Sequence, residues 1–202
     1  MLIIGITGGS GAGKTSALRA LARLGALIID CDEVYHGLLA TSDAMKAELD
    51  VRFPGVIVGG ALDRKRLGEI VFGDPAALGD LNVITHKYVS AEVDRRLRDW
   101  EQGGGALAAV DAILLIESGL AARCGITVGI MAPAPLRVSR IVARDGVSPE
   151  YAKKRIAAQK PDAFFIENCD YMLEGAHNTP EEFEDKCEIF FKEIIGGREN
   201  AG

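Results

Sequence analysis

The sequence lacks long apolar runs, closely spaced cysteines and an excess of positive charge. No apolar stretch approaches the roughly 18 residues of a membrane-spanning helix, so a membrane protein is not expected. The four cysteines form no C-x-x-C pair, which favours reduced thiols over a disulfide or zinc site. The net charge of −6 argues against a partner such as nucleic acid. No basic leader precedes the first strand, and we therefore expect a cytoplasmic protein.

What the sequence does contain is sufficient apolar material for one globular domain. Its 202 residues are 48% hydrophobic and 26% charged, with no internal repeat. We expect a single domain over 1–202 that acts as a monomer or a weak homo-oligomer. Because the overall charge repels anions, any anionic ligand must be held by local cations.

A glycine-rich stretch at 8–15, GGSGAGKT, is the clearest motif. It matches G-x-x-x-x-G-K-[ST], the loop that cradles phosphates. An apolar run at 2–6 precedes it as a strand, and 16–24 follows with helical spacing. Lys14 stands where a dinucleotide fingerprint needs its third glycine. The motif offers phosphates its backbone N–H groups and the charge of Lys14, and the Thr15 hydroxyl suits Mg²⁺. We therefore predict an ATP site at Gly11, Ala12, Gly13, Lys14, Thr15 and Ser16.

Further apolar runs alternate with helical segments, as in a parallel α/β sheet. They cover 26–29, 106–110 and 126–131, with a weak last strand at 170–173. The β–α–β spacing predicts right-handed crossovers, and ligands of such sheets bind at the carboxyl ends of the strands. A closing helix is expected at 180–195, with a frayed tail at 196–202.

The region from 33 to 102 has a different character. It is polar and poor in strand-like runs, and the periodicity predicts helices at 45–53, 64–72 and 76–100. We interpret it as a helical insertion between the second and third strands. Because this insertion follows the carboxyl end of the second strand, where ligands of such sheets bind, we expect it to hold the acceptor substrate.

Polar residues end three of the strands. Asp32 is the candidate base for an acceptor hydroxyl, and the alternative is that it caps the next helix. Asp30 is expected to orient the loop or Mg²⁺. Thr7 is expected to bond Asp32 or a phosphate, or else to cap its strand. Asp111 is either a water-mediated Mg²⁺ ligand or a simple strand end.

Two basic helices at about 136–160 resemble a lid that closes over transferring phosphates. They carry, at helical spacing, Arg137, Arg140, Arg144, Arg155 and Gln159. The alternative is a solvated face whose charges pair with Asp145 and Glu150. A nucleotide-dependent switch is a further possibility, although no Asn-Lys-x-Asp guanine motif occurs. The paired arginines favour a kinase.

Taken together, these motifs resemble those of the dephospho-CoA kinases. The matching segments lie in order at 5–15, 28–32, 62–67, 70–72, 114–120, 140–148 and 155–159. The resemblance implies a three-layer P-loop kinase fold with a parallel sheet, a helical substrate-binding insertion and a helical lid. It also implies that ATP, with Mg²⁺, phosphorylates the ribose 3′-hydroxyl of dephospho-CoA to give coenzyme A and ADP. The implied partners are small molecules.

The resemblance further implies roles for single residues. The catalytic residues are Thr7, Lys14, Asp32 and Arg140. The acceptor is bound by Arg64, His86 and Glu117. Apart from the resemblance, we expect Thr15 and Asp32 to hold the metal and Arg144 to join the ATP site.

The chain departs from the family pattern at Lys87, at Ile113 and near the adenine around 173–176. Another P-loop kinase that acts on a nucleoside or hydroxy-metabolite is therefore the alternative. A family member without activity is a third reading, against which the presence of Lys14, Asp32 and Arg140 argues.

Overall fold

The computed structural model describes residues 1–177 and 179–199, which form two compact units, 30–99 and the remainder. In chain order the elements are β1 (Leu2–Thr7), α1 (Lys14–Arg23), β2 (Leu27–Asp30), α2 (Cys31–Thr41), α3 (Asp43–Arg52), β3 (Ile57–Val58), β4 (Ala61–Leu62), α4 (Arg64–Val71), α5 (Pro75–Gln102), β5 (Leu107–Asp111), a 3-10 turn (Leu120–Arg123), β6 (Ile126–Met131), α6 (Ala134–Asp145), α7 (Pro149–Ala157), α8 (Asp162–Asn168), β7 (Tyr171–Glu174) and α9 (Pro180–Glu199). No helix among these described residues is both long and apolar enough to cross a membrane.

The first unit is built on a parallel five-stranded sheet with helices on both sides. Its strand order is β2-β5-β1-β6-β7, so β1 lies at the centre. In register, Ile6 pairs with Asp111 of β5, and Thr7 pairs with Gly129 of β6. The carboxyl ends of these strands therefore share one edge. The sheet confirms the predicted three-layer α/β fold.

A continuous apolar core fixes β1 and α1, the two elements that flank the glycine-rich loop. The sheet contributes Ile4, Ile6, Val128 and Ile130, all fully buried. They pack with the α1 and α9 side chains Ala17, Ala20, Leu21, Phe183 and Phe191. Each large side chain contributes about 1.5–3 kcal/mol when it leaves water. Both ends of the loop are therefore anchored in packed structure.

The buried Glu184 carboxylate also joins α9 to α1. It accepts hydrogen bonds from Arg19 at 3.0 Å and from Arg23 at 2.7 Å. A buried carboxylate needs such partners because an unpaired charge is costly to desolvate. The α9 helix continues to Glu199, so the prediction of a frayed tail is wrong for 196–199, and 200–202 lie outside the described residues.

The second unit, 30–99, has its own apolar cluster. Its buried members are Leu39, Met45, Leu49, Phe53, Val56, Leu67, Ala77 and Ile84. Three helices begin at side-chain caps, where Asp30, Ser42 and Asp63 accept backbone N–H groups of the first turn. The helical periodicity of this region thus corresponds to helices that bury one face each.

A short hairpin interrupts these helices and was absent from the sequence prediction. Strand β3 pairs antiparallel with β4 across Gly59 and Gly60. Both glycines have positive φ, at 59° and 80°, as a two-residue hairpin turn of this type requires. The strands are too short to give an alternating pattern, so helical periodicity dominated the prediction.

Candidate active site

The loop at 8–15 curves through backbone conformations that favour glycine. Gly8, Gly11 and Gly13 have φ of 129°, 77° and 115°. A Cβ on Gly8 would overlap the Ile130 carbonyl oxygen, and one on Gly11 would lie 2.8 Å from the Arg137 carbonyl oxygen. Gly13 precedes α1 without any side-chain cap. Among the described residues the Ser16 N–H already bonds the Gly13 carbonyl oxygen at 3.0 Å, which leaves the N–H groups of Lys14 and Thr15 for an anion.

Lys14 places its charge across this loop. Its Nζ donates to the Gly8 carbonyl oxygen at 3.1 Å, and the side chain is half-buried. An ammonium group has three N–H donors, so two remain for phosphate oxygens. Thr15, one position further along α1, is exposed. Both predicted ATP contacts therefore lie at the start of α1.

Arg140 of α6 binds the other side of the loop backbone. Its guanidinium donates to the Gly11 and Ala12 carbonyl oxygens, at 3.2 and 3.4 Å. A third bond, of 2.8 Å, reaches the Gly175 carbonyl oxygen beyond β7. This side chain is thus in contact with the predicted ATP loop.

The remaining predicted lid residues divide into two groups. Arg137 and Gln159 are hydrogen-bonded to the loop at Ser10. Arg144 and Arg155 instead pair with Asp145, at 2.6 and 2.8 Å. The hydrogen bond from Arg144 and the charges of both arginines hold the pKa of Asp145 below its usual value. The exposed pair matches the alternative interpretation, a solvated face with Asp145 as partner.

Thr7, at the end of β1, has a partner that the sequence did not predict. The residue is fully buried, and its hydroxyl donates to the Ile113 carbonyl oxygen at 3.2 Å. Asp111 ends the neighbouring strand, opposite Ile6. The hydroxyl therefore ties β1 to the segment after β5.

Asp30, not Asp32, caps α2. Its carboxylate accepts the N–H groups of Asp32 and Glu33, at 2.8 and 3.1 Å. The capping alternative for Asp32 is therefore wrong, and the orienting role of Asp30 toward the loop or Mg²⁺ stays a prediction. The helix begins at Cys31, two residues before the start at 33 that the pattern predicts, because the Asp30 carboxylate satisfies two N–H donors of the first turn. Asp32 is exposed on the first turn.

Among the predicted acceptor residues, Arg64 has an unexpected neighbour. Its guanidinium lies 3.1 Å from His36 Nδ1, although His36 matched no motif. Tyr35 lies beside them, and its pKa is raised by burial, an effect that the Arg64 charge opposes. His36 and Arg64 are 28 residues apart, on α2 and α4, with α3 and the hairpin between them, so only the fold could group them.

The other predicted acceptor residues lie apart in the chain. His86 is half-buried on α5, and Glu117 is exposed after β5. Lys87, at one departure from the family pattern, donates to Glu48 of α3 at 2.7 Å. No group of three or more His, Cys, Asp or Glu side chains suited to a metal occurs in the described part of the chain.

Two aromatic residues beside the loop were not predicted. Phe183 contacts the loop so closely that a Cβ on Gly13 would lie 3.0 Å from its ring. The His177 ring stacks on Phe183 with centroids 5.1 Å apart. A Cβ on Gly175 would overlap the Ala12 carbonyl oxygen. Nothing in the local spacing distinguishes Phe183 from an ordinary core residue of α9.

Comparisons with known proteins show which family the chain resembles in sequence and in fold. The family model for dephospho-CoA kinase matches residues 2–181. The dephospho-CoA kinase of Paramagnetospirillum magneticum is 38% identical over 162 residues, which cover 80% of this chain and 76% of the relative. A crystal structure from Thermus thermophilus has a TM-score of 0.79 and 32% identity, covering 97% of both chains. Dephospho-CoA kinase from Campylobacter jejuni has a TM-score of 0.68 and 26% identity, covering 97% of this chain and 98% of its own.

Proposed function

The chain belongs to the dephospho-CoA kinase family, and we propose that it transfers the γ-phosphoryl group of ATP to the ribose 3′-hydroxyl of dephospho-CoA. The products are coenzyme A and ADP. The observation that carries this proposal is the glycine loop with Lys14 bonded across it and Arg140 bonded to its backbone. Phosphoryl transfer depends mainly on such positioning and charge neutralisation.

The donor half of the reaction is assigned to residues 11–16, with Lys14 and Arg140 as the cations. Arg144 is proposed to leave Asp145 and bind ATP when the segment 136–160 closes as a lid. Bound Mg²⁺ would neutralise charge on the β- and γ-phosphates. The Thr15 hydroxyl and the Asp32 carboxylate are the hard oxygen donors that this cation prefers, and both are exposed.

The acceptor half is assigned to the helical insertion at about 33–102 together with Glu117. Asp32 is proposed as the base that takes the proton of the 3′-hydroxyl. Its exposed carboxylate does not cap α2, since Asp30 is the N-cap of that helix. Arg64 offers a cation to the phosphates of dephospho-CoA, and His86 and Thr7 are proposed to lie near the acceptor and the transfer site.

We infer further that the protein acts in the cytoplasm, as a monomer or a weak homo-oligomer, on small molecules and without nucleic-acid or membrane partners. None of the four cysteines, all of which lie within the described residues, forms a disulfide, which supports a reducing compartment.

Turnover with purified protein tests the proposal. The protein is incubated with ATP, dephospho-CoA and Mg²⁺, and both ADP and coenzyme A are quantified. We expect equimolar products that require all three components. ADP formation that does not depend on dephospho-CoA, or turnover with a nucleoside from a parallel panel instead, would contradict the assigned acceptor. Omission of Mg²⁺ with added chelator tests the metal separately.

A further inference from the structure

A buried charged network lies against the glycine loop at Ser10. Arg137 is only 5% exposed, and its Nε donates to the Ser10 carbonyl oxygen at 3.0 Å. One terminal nitrogen donates to Gln159 Oε1 at 2.8 Å, and the other lies 3.9 Å from the Asp162 carboxylate. Burial lowers the pKa of Arg137, and Asp162 opposes this only in part. A buried guanidinium of this kind depends on its hydrogen bonds.

Gln159 completes the network from a separate part of the chain, two residues after α7. Its Oε1 accepts the Ser10 N–H at 3.0 Å as well as the Arg137 guanidinium. Its Nε2 donates to Ser10 Oγ at 2.8 Å. The amide N–H, the carbonyl and the hydroxyl of Ser10 are therefore all held by two side chains.

The loop is also shaped to admit this network. Gly9 has no side chain, and a Cβ there would overlap the Arg137 guanidinium. Because the Ser10 N–H points at Gln159, phosphate oxygens must be bound by N–H groups further along the loop. Arg137 and Arg140 are three residues apart on α6, and both bind loop carbonyl groups, at Ser10 and at Gly11.

We propose that Arg137 and Gln159 are positioning residues for ATP. They fix the Ser10 peptide, and the fixed peptide pre-forms the curve that presents the later N–H groups of the loop to the phosphates. They thereby connect the shape of the loop to α6, which carries Arg140. This inference rests on the proposed function only in taking the loop at 8–15 as the ATP site.

The proposal depends on the forked geometry of arginine. The planar guanidinium reaches the Ser10 carbonyl and Gln159 at the same time, whereas a lysine ammonium is a point charge on a flexible chain. If Arg137 contributed only its positive charge to the phosphates, lysine would serve almost as well. The substitution Arg137→Lys therefore separates positioning from a general electrostatic attraction.

A matched control comes from the other arginine bridge of the same unit. Arg23 binds the buried Glu184 at 2.7 Å and does not belong to the proposed site. Arg23→Met removes an arginine bond to a buried partner, as Arg137→Met does. It should lower the melting temperature and leave the affinity for MgATP unchanged.

Calorimetric titration of the whole protein with MgATP, and separately with dephospho-CoA, is the test. We expect Arg137→Met and Arg137→Lys each to weaken MgATP binding by about 10-fold or more, the usual loss for a hydrogen bond to a charged group. Dephospho-CoA binding should be unaffected. Gln159→Met should resemble Arg137→Met, and the double variant should lose little more than either single one, since both act through Ser10.

The contrary outcomes are distinct. Normal MgATP affinity in Arg137→Lys, or variants that lose only melting temperature as Arg23→Met does, would overturn the positioning role. If Arg137→Met fails to fold, the MgATP affinity of Gln159→Met is the deciding measurement, and a normal affinity there would overturn the positioning role. Absence of MgATP binding in the unmodified protein would instead overturn the proposed function itself.

Discussion

The glycine loop and the 30–99 unit differ in how firmly their functional side chains are held. Around the loop, Lys14, Arg137 and Arg140 each donate to a loop carbonyl group. In the 30–99 unit, Asp32 and Arg64 are exposed, and the neighbour of Arg64 is the exposed His36. The side chains bound to the loop are thus held by the protein itself, whereas Asp32 and Arg64 are exposed on the first turns of α2 and α4.

This difference suggests a division of work between the two regions. Donors that are already oriented stabilise developing charge without reorganisation, which is the main source of electrostatic catalysis. We expect the exposed side chains of the 30–99 unit to reach their final positions only when substrate binds. Changes at the loop should therefore alter ATP binding and turnover together. Changes in the 30–99 unit should alter either kcat or the KM for dephospho-CoA, and leave ATP binding unchanged.

The largest effect is expected for Asp32→Asn. Loss of the proposed base should reduce kcat by about 10²–10⁴-fold, because general-base catalysis contributes that much. MgATP affinity, measured by titration, should stay near its original value. Glu33→Gln is the control, since it neutralises the next exposed carboxylate of α2. Full activity in Asp32→Asn would show that the base lies elsewhere.

Lys14→Ala should have the next largest effect, on both binding and turnover. Removing a charged donor aimed at the phosphates is expected to lower kcat by about 10²–10³-fold. MgATP affinity should also fall, in contrast to Asp32→Asn. Steady-state kinetics combined with titration checks both quantities. An unchanged kcat would show that the loop does not couple ATP binding to turnover.

Gly8→Ala tests the rigidity of the loop through stability. The added Cβ would overlap the Ile130 carbonyl oxygen at a φ of 129°, and we expect a loss of about 2 kcal/mol or more in the free energy of unfolding. Gly25→Ala is the control, since Gly25 also has positive φ but open space among the described residues. It should cost only about 1 kcal/mol. Equal losses in urea denaturation would show that the close contact is unimportant.

Arg64→Ala should give a smaller and more selective effect. The KM for dephospho-CoA is expected to rise by about 10-fold, the effect of losing one hydrogen bond to a charged group. The KM for ATP should not change. Lys65→Ala removes the adjacent exposed cation of α4 and serves as the control. A comparable rise in the two variants would mean that net charge, not Arg64 itself, attracts the acceptor.

Which of the two carboxylates at the end of β2 caps α2 could not be predicted from the sequence. Asp30 and Asp32 both stand where a helix can begin, and both can serve as a cap. The choice depends on which backbone N–H groups the chain turns toward the carboxylate, and the structure directs Asp32 and Glu33 toward Asp30. Composition and spacing are identical for the two possibilities, so the pattern could not separate them.

The different surroundings of the α6 arginines could not be predicted from the sequence either. Arg137 and Arg144 are seven residues apart and lie on one helical face, so periodicity treats them alike. In the folded chain Arg137 is buried against Ser10, and Arg144 is exposed beside Asp145. The difference arises because one end of α6 packs on the loop, which the helix pattern itself does not encode.

The phosphate loop, the alternation of strands and helices, and the family could be predicted from the sequence, because they depend on local spacing and on an ordered set of motifs. The folded structure was needed to show that Asp30 is the cap, that Arg137 and Gln159 bond Ser10, and that His36 lies beside Arg64. Such pairs join positions far apart in the chain. Their contacts depend on how packed elements orient side chains in space, and no local pattern carries that information.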